Sequence, residues 1–274
     1  MSKPQDINFE SLIEKSMSQI AGLHLTVKQG VNPFLDAITP EINRYSSLTR
    51  SLTSKMGNGF QLLARNLAKE KFGVAAVPNI IFQKNEKFDL NDPKPDVKDT
   101  LILSKLDPKT INYEANKLIH FAKTEPNGKI GTKLFRKELT KSRDLIHKEA
   151  KSRPHQVQVD LFVDTPQLGF CETESGGELD SSNSKAQPAK LIMAALASDR
   201  LDMTLHFCLA YANRGEGKPI AGGLKRLFLN SDETETGDSL LVGKEWWETL
   251  LPPSTKYEDF LKIFSQTASK MNIV

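Results

Sequence analysis

Residues 168–185 read LGFCETESGGELDSSNSK, a short apolar run that delivers two glutamates one residue apart before the chain turns polar. Side chains alternate across a strand, so Glu172 and Glu174 project from one face, with Cα atoms roughly 6–7 Å apart. Asp160 lies in the preceding strand-like run HQVQVDLFV, joined to the glutamates through the turn DTPQ. The pairing register of that hairpin decides whether Asp160 meets Glu172. Three carboxylates gathered at one sheet end repel one another, and the usual remedies are solvent, raised pKa values or a divalent cation. Hard oxygen ligands, with no His or Cys directed to the same face, suit Mg²⁺ or Mn²⁺ better than zinc. The plainer alternative is a solvated polar strand face, because an Asp followed by E-x-E is a short pattern that arises by chance.

The elements that must position these acids follow from periodicity. Val157, Val159, Leu161 and Val163 alternate with Gln158, Asp160 and Phe162, which predicts one strand over HQVQVDLFV. LGFCETE is a second strand, making 155–174 a hairpin; AKLIMAALASDR is a compact helix and LDMTLHFCLAYAN a third long strand. That order points to an α/β domain over 151–274. The first 150 residues read as mostly helical. Apolar positions at helical spacing cover 7–28, and two helical pieces lie within 50–73, parted at Gly57, Asn58 and Gly59 and closed by Gly73. VAAVPNIIF reads as β, and 108–123 and 133–151 read as helices.

Beyond the acids, the polar loop behind them ends in Asn183 and Lys185, which could contact bases or phosphates, or could simply connect strand to helix with Ser184 as N-cap. The Gly-rich basic segment NRGEGKPIAGGLKRLFL carries Arg214, Lys218, Lys225 and Arg226, and its glycines would let the backbone approach DNA closely. No phosphate-binding glycine signature is present. Lys190 reads as a surface residue of the following helix, and Trp246 and Trp247 as core or subunit contacts. Cys171 and Cys208 both fall in apolar strand-like runs, which argues for buried thiols rather than a disulfide or metal site.

At 38% hydrophobic and 26% charged, the composition is that of a globular chain rather than a disordered one. The net charge of +3 is too mild to demand a polyanionic partner, though local basic patches remain compatible with it. With no long apolar run and no signal-peptide core at the N-terminus, the expected location is cytoplasmic, away from membrane.

The acidic arrangement resembles the PD-(D/E)XK nuclease core, in which Asp, then Glu-x-Lys on the next strand, holds Mg²⁺ at the scissile phosphate. VNPFLDAI near residue 31, RSLTSKMGN at 50–58 and VGKEWWETLLPPSTKYEDFLKIF at 242–264 are similar to signatures of the TdeIII-like group of type II restriction endonucleases. The resemblance implies an α/β fold with a mixed central sheet flanked by helices, plus a mostly helical N-terminal region serving dimerisation and a DNA clamp. It implies Asp160, Glu172 and the backbone carbonyl of Thr173 as ligands of Mg²⁺, with Mn²⁺ able to substitute. Glu174 stands where the pattern has lysine; it could accept the water's proton or ligate a second ion, or a relocated lysine such as Lys185 could act, or activity could be lost. The implied partners are double-stranded DNA at a short palindrome (the interrupted GGNCC kind is compatible), a second copy of the chain, and a cognate DNA methyltransferase. Two rivals remain: a non-catalytic DNA-binding protein with a degenerate nuclease core, and a glycoside hydrolase using Glu172 and Glu174, for which aromatics near the acids are few.

Overall fold

The computed structural model describes residues 7–18, 40–88, 99–149, 151–174, 183–211 and 226–271, and the backbone alone of residues 40–54 and 183–185. Seven helices are described: α1 (Phe9–Met17), α2 (Pro40–Phe72), α3 (Pro108–Thr124), α4 (Lys133–Ile146), α5 (Asn183–Ser198), α6 (Lys244–Leu250) and α7 (Tyr257–Lys270). The strands are β1 (Ile80–Phe82), β2 (Thr100–Ser104), β3 (His155–Val159), β4 (Leu161–Val163), β5 (Gly169–Glu174), β6 (Leu205–Leu209) and β7 (Ser239–Val242). They form two mixed sheets, β1-β2-β3 and β4-β5-β6-β7. In the first, β1 runs parallel and β3 antiparallel to β2; in the second, β4–β5 is antiparallel and β5–β6 and β6–β7 are parallel. The α/β expectation is met, with the sheet divided in two.

The division falls at Asp160. HQVQVDLFV is not one strand: β3 pairs with β2, and one residue later β4 pairs with β5. Alternation in sequence is unbroken across Asp160, so periodicity reads through the change of partner. Only the β4–β5 part of the expected hairpin forms, with Leu161 opposite Cys171 and Val163 opposite Gly169. The first sheet joins β1 and β2, from the first 150 residues, to β3 from the second stretch.

The helices cover the sheets from both sides. Ile111 and Leu118 of α3, Phe135 and Leu139 of α4, and Leu191, Ile192 and Ala195 of α5 share one core with Phe170 and Phe207. Leu63 and Leu67 of α2, Trp246 and Leu250 of α6, and Phe260 of α7 share the other with Cys171 and Cys208. Successive residues of β5 thus face α5 and α2 in turn. Both cysteines are free and buried as expected, and Trp246 and Trp247 are buried core residues.

Two local expectations are corrected. The Gly57, Asn58, Gly59 cluster does not part the chain; α2 runs through it for 33 residues. Each helical glycine costs about 1 kcal/mol against alanine, but the buried stripe Phe60, Leu63, Ala64, Leu67 and Ala68 outweighs that. Gly59 also serves the packing, since a Cβ there would meet Met17 Sδ at 2.5 Å, so its absence lets α1 approach. Ser184 lies inside α5 rather than capping it. Gly73 does follow α2, at φ 89°. The 19–28 part of the first expected helix lies outside the described residues.

Gly169 sets the start of β5, the strand that carries the glutamates. Its φ is +44°, and a Cβ would lie 2.3 Å from the Thr204 carbonyl oxygen and 2.6 Å from its nitrogen, both rigid backbone. A side chain there meets backbone strain and a clash together. Gly169→Ala is therefore expected to lower unfolding free energy by about 2–4 kcal/mol, measured by urea denaturation. A variant as stable as its parent would contradict the close approach of β5 to Thr204.

Candidate active site

The β4–β5 register sets the site. With Leu161 opposite Cys171, the preceding Asp160 comes beside Glu172 and Thr173. The Thr173 backbone N–H donates to Asp160 Oδ2 at 2.8 Å, so the carboxylate is tied to the very strand that bears the glutamates. Glu172 is 1% exposed and Thr173 is buried, while Asp160 and Glu174 are half-buried.

Helix α5 supplies the cover. Lys190 Nζ donates to Glu172 Oε2 at 3.4 Å, and the Gln187 side chain hydrogen-bonds Glu174. Both contacts come from the α5 side of β5, as expected of two glutamates on one strand face. From the other side, Gln61 of α2 donates through Nε2 to the Thr173 carbonyl at 3.4 Å. The Glu174 carbonyl accepts from the Ala210 N–H at 2.9 Å, fixing the end of β5 against β6.

Burial dominates the electrostatics. Desolvation pushes the Asp160 carboxyl up to about 6, against the opposing Thr173 hydrogen bond and Lys190 charge, with Asp99 and Glu174 adding to the rise. Glu172 is raised well above the ordinary carboxylate range, first by burial and then by Asp160. Glu174 is raised by burial, less so because Lys190 and Gln187 oppose it. For Lys190 burial alone would lower the ammonium's pKa, but the three acids together raise it.

The arrangement has the donor set for a hard cation. Glu172 Oε1 is buried and has no hydrogen-bond partner among the described residues, a costly condition for a carboxylate oxygen. Asp160 and the Thr173 carbonyl flank it on the same strand pair. Among the described residues no three His, Cys, Asp or Glu side chains gather closely enough to hold an ion by themselves; the oxygen donors here are two carboxylates and a backbone carbonyl, the kind of ligands hard cations take.

A family model now decides the class: the one described as type II restriction endonuclease, HinfI, matches residues 3–268. The chain belongs to that family. This HinfI-family chain is a type II site-specific deoxyribonuclease, a hydrolase whose substrate is DNA. The glycoside hydrolase alternative is thereby set aside, and the type II restriction-endonuclease resemblance is supported, with HinfI rather than the TdeIII-like group as the family matched. Enzymes of this kind generally use divalent metal ions. No curated protein and no solved structure matches the chain. Among the described residues, no helix is long and apolar enough to cross a membrane.

The structure brings Asp160, Glu172, Thr173 and Glu174 together. Asn183 and Lys185 fall in the first turn of α5, their side chains outside the described residues, as are Arg214, Lys218 and Lys225 altogether; Arg226 is exposed. Three neighbours escaped the sequence reading. Gln61 and Asp99 carry no signal, since each arrives from a distant element. Lys190 did have one: it is a solitary cation within an otherwise apolar helical run, KLIMAALA; it is a surface residue, as expected, and it also donates to the buried Glu172.

Because folding raises the Asp160 pKa from an unfolded value near 4 to about 6, the folded state binds the proton more tightly. Its contribution to stability is fully present below the unfolded pKa and is lost as pH rises through the folded one. In metal-free buffer, Asp160→Asn should therefore be more stable than its parent at pH 7, by about 1–2 kcal/mol. The advantage should shrink as pH falls through about 6 and vanish below about 4, followed by thermal melting with chelator present. A less stable variant at pH 7 would show that the buried acids do not strain the fold.

Proposed function

We propose that this endonuclease hydrolyses both strands of a short palindromic DNA site in a Mg²⁺-dependent reaction, with Mn²⁺ able to substitute, at a PD-(D/E)XK-type centre. The observation that carries the reading is the buried Glu172 Oε1, which has no hydrogen-bond partner among the described residues, on a strand tied to Asp160 through the Thr173 N–H. Asp160, Glu172 and that carbonyl would hold the ion. When bound there, a divalent cation would neutralise the two carboxylates and supply positive charge to the phosphate oxygens.

The chain's own groups account for the proton and for geometry. In hydrolysis the water oxygen forms a bond to phosphorus while the bond to the leaving deoxyribose oxygen breaks with its electron pair. The water's proton must leave, and the leaving oxygen must gain one from solvent. We assign the former to Glu174, which is half-buried, held by Gln187 and, by its raised pKa, a stronger base than an ordinary carboxylate. Asp160 is held in place by the Thr173 N–H, and Gln61 steadies the Thr173 carbonyl from α2.

Cutting two antiparallel strands at equivalent positions favours a two-fold homodimer. The helical 1–150 region would provide dimer contacts and part of the DNA clamp, the 151–274 region the catalytic core. Asn183, Lys185, Arg214, Lys218, Lys225 and Arg226 are the proposed DNA contacts, and a cognate DNA methyltransferase the functional partner in the cytoplasm.

Digestion of unmethylated DNA of known sequence should give discrete fragments with Mg²⁺ or Mn²⁺ and none with chelator. Glu172→Ala should slow cleavage by about 10³-fold or more while DNA binding in Ca²⁺ persists. DNA left uncut with both ions would overturn the metal-dependent reading, and full activity in Glu172→Ala would remove the site assignment.

A further inference from the structure

Resting on that site, we propose that Lys190 is a catalytic residue that contacts the scissile phosphate, supplying from α5 the positive charge that β5 lacks. The strand places Glu174, an anion, next to where negative charge builds up on the phosphate, so the cation must come from another element. Among the described residues, Lys190 is the one cation whose charge acts on Asp160, Glu172 and Glu174 alike.

Its placement is built into the helix. Ala189, Leu191 and Ile192 are buried in the core beneath α5, which fixes the rotation of the helix and sends Lys190 to the acid-bearing face of β5. Gln187, one turn earlier, reaches Glu174 as Lys190 reaches Glu172, so two successive turns address two successive glutamates. The Lys190 side chain is nonetheless 47% exposed, whereas that of Glu172 is 2% exposed. The ammonium therefore stands at the mouth of the site, between the buried acids and the solvent from which a DNA backbone must come. A compact charge on a four-carbon stem can exchange a carboxylate oxygen for a phosphate oxygen with no movement of the helix.

A purely structural role explains little of this. The apolar residues of α5 already anchor the helix, so Lys190 is not needed to seat it. Glu174 as proton acceptor and Lys190 as phosphate contact would divide between strand and helix the work a single strand lysine could do.

The test uses Lys190→Met, Lys190→Arg and Glu172→Ala beside the parent, on a DNA fragment containing the site that the parent cuts. Lys190→Met should cleave about 10²–10³-fold more slowly at saturating Mg²⁺, with melting temperature and Ca²⁺-supported DNA affinity unchanged. Lys190→Arg, which keeps the charge, should recover most of the rate. Parental cleavage by Lys190→Met, with Glu172→Ala inactive, would overturn the inference and leave the site standing. A loss of DNA affinity or melting temperature that parallels the loss of rate, unrelieved by arginine, would make Lys190 a structural contact and also overturn it. Full activity in Glu172→Ala would remove the site and the inference together.

Discussion

Asp160 stands where the chain leaves one sheet and enters the other, and its carboxylate is tied to the Thr173 N–H at 2.8 Å. That bond brings an acid from the junction onto the strand that carries the glutamates. It partly offsets the cost of burying two carboxylates side by side. What remains is Glu172 Oε1, buried and with no hydrogen-bond partner among the described residues. The rest of the molecule is arranged around holding this strained pair in place: β5 is clamped at its start by the approach of Gly169 to Thr204 and at its end by the Ala210 N–H.

The two layers of helices have different relations to the site. The α5 layer faces the glutamate side chains and contributes Lys190 and Gln187, both polar groups on a helix otherwise committed to the core. The α2 layer faces the alternate residues, and reaches the site through the backbone, where Gln61 meets the Thr173 carbonyl. Far from the acids, Arg136 braces the opposite end of the second sheet. Its guanidinium pairs with the fully buried Asp238 carboxylate and donates to the carbonyls of Leu201 and Met203, while Asp238 also accepts the Leu205 N–H. An ion pair satisfied on every side rigidifies its surroundings, and here it fixes β6 and β7 behind β5. By contrast, Glu172 Oε1 has no hydrogen-bond partner among the described residues.

Much of the fold was legible in the residues. The helices expected at 108–123 and 133–151 are observed at Pro108–Thr124 and Lys133–Ile146, the second ending short of its expected bound. The β4–β5 turn and a helix after the glutamates also form where spacing placed them. The common face of Glu172 and Glu174 follows from alternation alone, and α5 meets both from one side. Less legible was the continuity of α2 through its glycines, because propensity is local whereas the buried stripe that holds the helix together is covered only once α1, α6, α7 and the second sheet pack against it.

The sequence by itself determined the acids, their shared face and the absence of a lysine beside them, since these depend only on residue identity and a two-residue period. Tertiary structure decided what surrounds them. The split at Asp160 is invisible to periodicity because β3 and β4 keep the same alternation while changing partners. Gln61 and Lys190 reach the site from two separate helices, and no spacing in sequence encodes a contact made by helices packing on opposite faces of a sheet. The carboxylates' raised pKa values have the same origin: water is excluded only when α5 and α2 close over β5.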